Sequence, residues 1–123
     1  MSHTQALKHS HVKRLDDVVV LKPHGDLTGG PETDEIETLV DQFDAEGVKC
    51  LVINLSAVAI MNSLALSRMI RAHLKFTKRG ARVHLCNLET RIQQVFVIAK
   101  LSMVFPVFQD EASAIAACSG GAT

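Results

Sequence analysis

Alternating apolar and polar segments along the chain predict strands and helices that follow one another. Residues 10–22 have strand character on both sides of the acidic pair Asp16 and Asp17, which is typical of a hairpin. Residues 50–55 form a nearly continuous apolar run rich in β-branched side chains, which indicates a strand covered on both faces. Between these segments, apolar residues three and four apart predict one face of a helix: Ile36, Leu39, Val40 and Phe43.

Two helices have recognisable start and stop signals. The first is predicted to begin at Pro31, which suits a first helical position, and to end before Gly47. The second is predicted to follow Asn62 and Ser63 and to end at Gly80. Its inner face is predicted to contain Leu66, Met69, Ile70, His73, Leu74 and Thr77. Its outer face carries a basic stripe, which can either meet an acidic partner or remain solvated near the helix C-terminus: Arg68, Arg71, Lys75 and Lys78.

The second half of the chain continues the alternation. Residues 81–86 resemble a further strand, and Asn87 is suited to cap a third helix. Residues 104–108 predict a last strand, after which Asp110 is expected to cap a short helix over residues 111–118. This order predicts an α/β fold with a roughly four- to five-stranded, mostly parallel sheet, an antiparallel N-terminal edge strand and about four helices.

Length and charge narrow the class of protein. With 123 residues, we expect a single domain over residues 1–123, ordered from about residue 10 to about residue 118 with flexible ends. The 13 basic residues balance the 13 acidic ones, so no long-range field attracts nucleic acid. No apolar run reaches the ~18 residues of a membrane span, and the first residues lack the apolar core of a signal peptide. A cytoplasmic protein without nucleic-acid binding or direct membrane insertion is therefore predicted.

No group of residues forms a recognisable catalytic or metal-binding motif. The three cysteines have no close pairing, which argues against a disulfide framework and a zinc site and favours a packing role. His9 and His11 can share a strand face but lack a third ligand, and residues 25–30 lack the lysine and spacing of a phosphate loop. Ser63 and His73 lie about 15 Å apart along a helix, too far for a catalytic dyad. We therefore predict no enzyme activity, cofactor or metal.

Residues 54–66 carry the most distinctive pattern, because a buried strand leads through a short loop to the polar pair Asn62 and Ser63 at a helix start. The segment reads N-L-S-A-V-A-I-M-N-S-L-A-L. It resembles the STAS family, named for sulfate transporters and anti-sigma factor antagonists, whose members carry N-L-x-x-V-x-x-M-D-S-x-G-L at this place. The strand at residues 18–21 and the turn at residues 25–27 resemble the family's early strand and G-E-L turn. The likeness extends from about residue 12 to about residue 117.

The resemblance implies a regulatory protein that binds another protein. In the antagonist branch an anti-sigma factor kinase phosphorylates the serine that corresponds to Ser63. The implied partner is such a kinase, with a GHKL-type ATPase fold that would itself hold ATP, and a PP2C-type phosphatase is a further candidate. The partner-binding residues that the resemblance implies are Asn62, Ser63, Leu64, Asp26, Thr28 and Arg68.

Three departures from the family pattern keep alternatives open. Asn62 replaces the family's aspartate, Ala65 replaces its glycine, and an acidic residue often found near Thr28 is absent. One alternative is a STAS subunit that binds its partner without phosphorylation, for example in an ABC lipid-transport complex. In a purely structural alternative, Ser63 only caps its helix, as serine does well.

Overall fold

The computed structural model describes residues 2–120, with side-chain surroundings for residues 7–101 and 103–118. Over these residues the strands are β1 (Ser2–Ala6), β2 (Ser10–Leu15), β3 (Val18–Pro23), β4 (Cys50–Asn54), β5 (Arg82–Cys86) and β6 (Val107–Phe108). The helices are α1 (Pro31–Ala45), α2 (Ser63–Lys78), α3 (Thr90–Ile98) and α4 (Glu111–Gly120), and a short 3-10 helix, Leu101–Met103, follows α3.

The strands form one sheet in the order β1-β2-β3-β4-β5-β6. Strand β2 is antiparallel to β1 and β3, whereas β3, β4, β5 and β6 are parallel neighbours. The predicted α/β class, largely parallel sheet, antiparallel N-terminal edge and four helices are confirmed. One strand, Ser2–Ala6, was not predicted. Residues 2–6 have no run or alternation of apolar residues that would indicate a strand, yet they pair with β2 at the edge of the sheet.

The helices cover both faces of this sheet. The larger core joins apolar side chains of α1, α2 and α3 to one sheet face, including Leu21 and Ile53. The smaller core lies beneath α4 and contains Val20, Cys50, Val52, Cys86 and Ala114. Every residue of β4 is buried, which confirms the prediction of a strand covered on both faces. Among the described residues, no helix is long and apolar enough to cross a membrane.

Most predicted helix ends are confirmed. Pro31 occupies the first turn of α1, Gly47 and Gly80 have positive φ angles of 78° and 81° after α1 and α2, and the Asp110 carboxylate accepts a bond from the Ser113 amide. The prediction for Asn87 is wrong. Its φ of 57° places it in the left-handed region, which asparagine tolerates, and α3 begins only at Thr90.

The last predicted strand is shorter than expected. Strand β6 contains two residues, Val107–Phe108. The preceding Phe105 is 2% exposed and packs its ring edge against Phe96 at 6.0 Å between centroids. Phe105 thus belongs to the core, and the Pro106 carbonyl, which accepts from the Leu85 amide at 3.0 Å, continues the sheet pairing before β6.

Three of the four side chains of the basic stripe pair with α1, whereas Lys78 is exposed. Arg68 and Arg71 both pair with Glu37, at 3.2 and 3.3 Å. Further along, Lys75 pairs with Asp41, and Arg79 Nε lies 2.6 Å from Asp44 Oδ1. The buried face of α2 matches the predicted one in part. Met69 is buried and Leu66 and Ile70 pack against the core, as predicted, but Ala65, Ala72 and Phe76 are buried as well. Leu74, predicted to face inward, is 60% exposed.

The prediction that all cysteines are packing residues is wrong for two of them. Cys50 and Cys118 form a disulfide with a Cα–Cα distance of 6.0 Å across a sequence separation of 68 residues. Helix α4 folds back over the second face of the sheet and brings Cys118 to the start of β4, which spacing alone does not reveal. Cys86 is a buried free thiol, and burial, with smaller contributions from Glu111 and Asp110, raises its pKa to about 12.

Candidate functional site

Two loops at the carboxyl ends of β3 and β4 form the platform for the predicted site. They lie side by side because the Leu27 amide donates to the Ile60 carbonyl at 2.9 Å and the Asn62 amide donates to the Leu27 carbonyl at 3.0 Å. Leu27 and Met61 form an isolated parallel bridge and are both buried. The carboxyl edge of a parallel sheet is where α/β proteins usually place their binding loops. The backbone thus fixes residues 24–30 against residues 55–62.

Asn62 connects this platform to α2. Its side-chain Oδ1 accepts a hydrogen bond from the Ala65 amide at 3.0 Å, so Asn62 is the N-cap of α2. Its Nδ2 donates to the Thr28 carbonyl at 3.0 Å. Ser63 is the first residue inside the helix, and the alternative that Ser63 is the cap is wrong. The hydroxyl of Ser63 is therefore not used for capping.

Gly29 meets the first turn of α2 at close range. A Cβ built on Gly29 would lie 2.6 Å from Leu64 Cδ2, and the φ of Gly29 is +96°. The Gly29 amide donates to Thr33 Oγ1 at 3.0 Å, which ties the same loop to the start of α1. A side chain at position 29 would therefore have a strained backbone and would require the exposed end of Leu64 to move.

The structure brings most of the predicted partner-binding residues together. Asp26, Thr28, Asn62, Ser63 and Leu64 are all exposed on the two loops and the first turn of α2. Among the described residues, no side chain forms a hydrogen bond with the Ser63 hydroxyl. The amino end of α2 carries partial positive charge, which favours an anion at this hydroxyl.

Arg68, the sixth predicted residue, lies further along α2 and differs from the others. Its Nε is 3.2 Å from Glu37 Oε2, so its charge is already paired within the chain. His73 is half-buried and packs against Phe105, with ring centroids 5.0 Å apart. Neither residue contributes to the exposed platform around Ser63.

An apolar groove beside the platform was not recognised in the sequence. It has a volume of about 370 Å³ between the loop at residues 59–61 and helix α3. Ile60 is 48% exposed, and Val97 and Ile98 of α3 are 58% and 81% exposed. The signal was present in the sequence, because residues 95–98 are four consecutive apolar positions and a surface helix buries only one stripe.

The two histidines considered as metal ligands lie beside the first loop of this platform, where the His24 amide donates to the His9 carbonyl at 2.9 Å. His11 Nδ1 is 2.9 Å from His24 Nε2, while His9 Nδ1 is 3.9 Å from a Glu32 carboxylate oxygen. The described residues contain one group of three potential metal ligands within 4.8 Å of one another, and it lies elsewhere: Cys50, His84 and Cys118.

Known proteins share this architecture over almost the whole chain. An anti-sigma factor antagonist from Mycobacterium paratuberculosis is 21% identical, with a TM-score of 0.77 over 97% of this chain and 95% of that chain. The anti-sigma factor antagonist SpoIIAA in its unphosphorylated form is 16% identical, with a TM-score of 0.73 over 98% and 97% of the two chains. The Bacillus cell fate determinant SpoIIAA in its phosphorylated form is 14% identical, with a TM-score of 0.64 over 92% and 96%.

The sequence comparisons are consistent with this likeness of fold. No curated protein sequence matches the chain. The model of the STAS domain matches residues 9–114, which include both loops of the platform and the start of α4. Because this match spans most of its length, the chain belongs to the STAS domain family.

Proposed function

We propose that the chain is a regulatory protein-binding switch of the anti-sigma factor antagonist kind. The observation that supports the proposal best is the exposed Ser63 at the first position of α2, on a platform held by Asn62 and the paired loops. Exposed apolar side chains of Ile60 and Leu64, at 48% and 42%, flank this serine. An apolar patch with a polar rim is typical of a protein-binding surface.

Control by phosphorylation of Ser63 is the finer part of the proposal. A phosphoserine adds about −1.5 to −2 charges and three acceptor oxygens at pH 7. Within the chain this charge would be favourable, because the amino end of α2 attracts anions. Within a docked interface it would be repelled by acidic groups and costly to desolvate. Phosphorylation would therefore release a partner without unfolding the domain.

The proposed partner is an anti-sigma factor kinase with a GHKL-type ATPase fold, and the enzyme proposed to reverse the modification is a PP2C-type phosphatase. Both identities are what the family resemblance implies, and the names of the structural relatives support only anti-sigma factor antagonism and the existence of a phosphorylated form. In this proposal ATP belongs to the partner. The exposed Leu64 and Ile60 would contact such a partner, and the charge state of Ser63 would decide whether it stays bound.

The experiment is affinity purification of the tagged chain from its native organism, with mass spectrometry of both partner and bait. We expect a kinase-type partner with the unmodified chain, and a fraction of the chain with phosphate on Ser63. The variant Ser63→Asp should lose the partner. A matched control is Ser113→Asp, which adds the same charge on α4, on the opposite face of the sheet.

Each outcome discriminates between the candidate functions. Loss of the partner with Ser63→Asp but not with Ser113→Asp supports the binding surface. A partner retained by Ser63→Asp would refute it. Stable binding together with no phosphate on Ser63 in any growth condition would instead support a STAS interaction subunit that works without phosphorylation.

A further inference from the structure

Three side chains with metal-binding atoms meet on the sheet face opposite the main core. Cys50 is the first residue of β4, His84 lies in the middle of β5, and Cys118 lies in α4. Cys50 and His84 are each 3% exposed, and Cys118 is half-buried. Their ligand atoms all lie within 4.8 Å of one another, although Cys50 and Cys118 are joined as a disulfide.

The distances to the imidazole match those of a tetrahedral zinc site. His84 Nδ1 lies 3.8 Å from Cys50 Sγ and 3.6 Å from Cys118 Sγ. Zinc bonds of about 2.3 Å to sulfur and about 2.0–2.1 Å to nitrogen place tetrahedral ligand atoms roughly 3.5–3.8 Å apart. Two of the three ligand separations are therefore already present. The third, between the sulfur atoms, is short only because they are bonded to each other.

We propose that reduction of the Cys50–Cys118 disulfide opens a zinc-binding site formed by Cys50, His84 and Cys118. A cellular dithiol would supply the two electrons and two protons that convert the disulfide into two thiols. The metal ion would then displace both thiol protons. His84 would bind through Nδ1 as a neutral imidazole, with its proton on Nε2. The domain would thus exist in an oxidised form without metal and a reduced form with metal.

Access to the site is provided by an opening at the same end of the sheet. A cavity of about 300 Å³ is lined by both cysteines, by Gly80 and by the polar residues Asp17, Lys49 and Arg82. It can admit a reductant and a metal ion, and it leaves room for a water as fourth ligand, as in open zinc sites. Cationic groups near thiols favour the thiolate, which is the form that binds metals.

After reduction, metal binding would replace contacts that His84 and Cys118 make with the Ala114 carbonyl. His84 Nδ1 lies 3.1 Å from the Ala114 carbonyl, and Cys118 Sγ lies 3.4 Å from the same oxygen. The imidazole would lose its hydrogen bond to Ala114 when Nδ1 becomes a ligand. Two thiolates balance the charge of a divalent metal ion, so the buried site would carry no net charge.

The test uses the full chain and Co²⁺ as a spectroscopic probe for zinc. The protein is reduced with a phosphine, titrated anaerobically with Co²⁺, and then titrated with Zn²⁺. We expect one cobalt per chain, with the visible bands and the thiolate charge-transfer band of tetrahedral cobalt, all lost on adding zinc. The oxidised chain should show none of these bands.

Matched cysteine variants locate the site. Cys118→Ala should weaken cobalt binding by about a hundredfold or more, because it removes a direct ligand. Cys86→Ala removes the remaining cysteine, which lies outside the ligand group, and should leave binding unchanged. Circular dichroism of each variant checks that it is folded.

A second measurement needs no variant. Zinc should protect Cys50 and Cys118 of the reduced wild-type chain from alkylation, as mapped by peptide mass spectrometry. A reduced, folded chain that gives no tetrahedral cobalt spectrum, or whose two thiols react equally fast with and without zinc, would overturn the proposal. So would cobalt binding by Cys118→Ala that equals the wild type.

Discussion

Asn62 and Ser63, which are neighbours at the start of α2, have different roles. Asn62 caps the helix and bonds to Thr28, whereas the Ser63 hydroxyl is left to solvent. Asn62→Ala should therefore lose a cap worth about 1 kcal/mol and a further hydrogen bond worth about 1 kcal/mol. Ser63→Ala should change the free energy of unfolding by only about 0.5 kcal/mol or less. Urea unfolding of the two variants measures this difference, and equal losses would contradict the assignment of the cap.

The family's aspartate in place of Asn62 would keep one of these bonds and lose the other. A carboxylate can accept from the Ala65 amide, but it cannot donate to the Thr28 carbonyl. Asn62→Asp should therefore keep α2 capped while loosening the contact between the two loops. If a kinase acts on Ser63, the same variant should be phosphorylated faster, as the family pattern implies. Unchanged kinetics with a purified kinase would show that Asn62 does not limit the modification.

Charge at Ser63 is expected to act on binding and not on folding. If Ser63 lies in the partner interface, Ser63→Asp should weaken binding by about 3 kcal/mol, or about a hundredfold in Kd. The melting temperature should hardly change, because an acidic residue is favourable in the first turn of a helix. Calorimetric titration with the partner, beside a thermal melt, separates the two effects. Unchanged affinity in a folded variant would place Ser63 outside the interface.

Gly29 has a positive φ and lies close to Leu64, whereas Gly47 has a positive φ but no close neighbour. Gly29→Ala would force a side chain into a positive φ and place its Cβ 2.6 Å from Leu64 Cδ2, whereas Gly47→Ala at φ +78° meets nothing within 4 Å. We expect each variant to cost about 1 kcal/mol from its positive φ, because the exposed Leu64 side chain can rotate away from the new Cβ in Gly29→Ala. Urea unfolding of the two variants compares these costs. A much larger cost for Gly29→Ala, relieved by adding Leu64→Ala, would contradict this and show that Leu64 is held in place.

At the scale of elements, α4 is attached to the sheet by the Cys50–Cys118 disulfide, by the buried Ala114 and by the charged residue Glu111. Glu111 accepts from Lys13 Nζ at 2.7 Å and from Asn54 Nδ2 at 3.1 Å. Burial acts to raise the pKa of Glu111, but the hydrogen bonds from Lys13 and Asn54 outweigh it and lower the pKa. Asn54 also accepts from the Ser56 amide at 2.9 Å. Glu111 thus connects α4 to the strand end that leads into the site loop.

The sign of the pH effect follows from this lowered pKa. A carboxyl whose pKa is lower in the folded state stabilises the fold above its unfolded pKa, and this contribution is lost as pH falls through the folded value. Glu111→Gln should therefore reduce the loss of stability that the wild type shows on acidification below about pH 4.3. Urea unfolding between neutral and acidic pH measures this. Parallel pH curves for wild type and variant would show that Glu111 contributes nothing.

The sequence predicts elements well where burial dictates the residue types. The apolar run at β4, Pro31 before α1 and the glycines after α1 and α2 each have a local physical reason, and the structure confirms them. Strand β1 and the start of α3 were not predicted correctly, because edge pairing and the left-handed Asn87 depend on backbone contacts made by distant segments. The inner face of α2 was misjudged because its apolar residues span more than one helical stripe, and the core takes the one that contains Ala65, Ala72 and Phe76.

At the scale of the whole molecule, the site and the disulfide lie at different places on the sheet. The platform around Ser63 follows the carboxyl ends of β3 and β4, while Cys50 lies at the opposite end of β4. The sequence identified the first place through a local motif spanning residues 54–66. It could not identify the second, because the residues joined there are separated by 68 positions and meet only when α4 covers the sheet.

The disulfide should contribute substantially to stability because it closes a long loop. Restricting an unfolded loop of this length is worth about 4 kcal/mol in the chain-entropy model. Reduction in the presence of a chelator, which keeps metal from replacing the disulfide, should therefore lower the urea midpoint while the fold persists. Cys118→Ala should unfold at the midpoint of the reduced wild type under both conditions. Cys86→Ala, the matched control, should keep the full response to reductant. Equal midpoints for the oxidised and reduced wild type would show that the bond adds nothing to the stability that the two cores already provide.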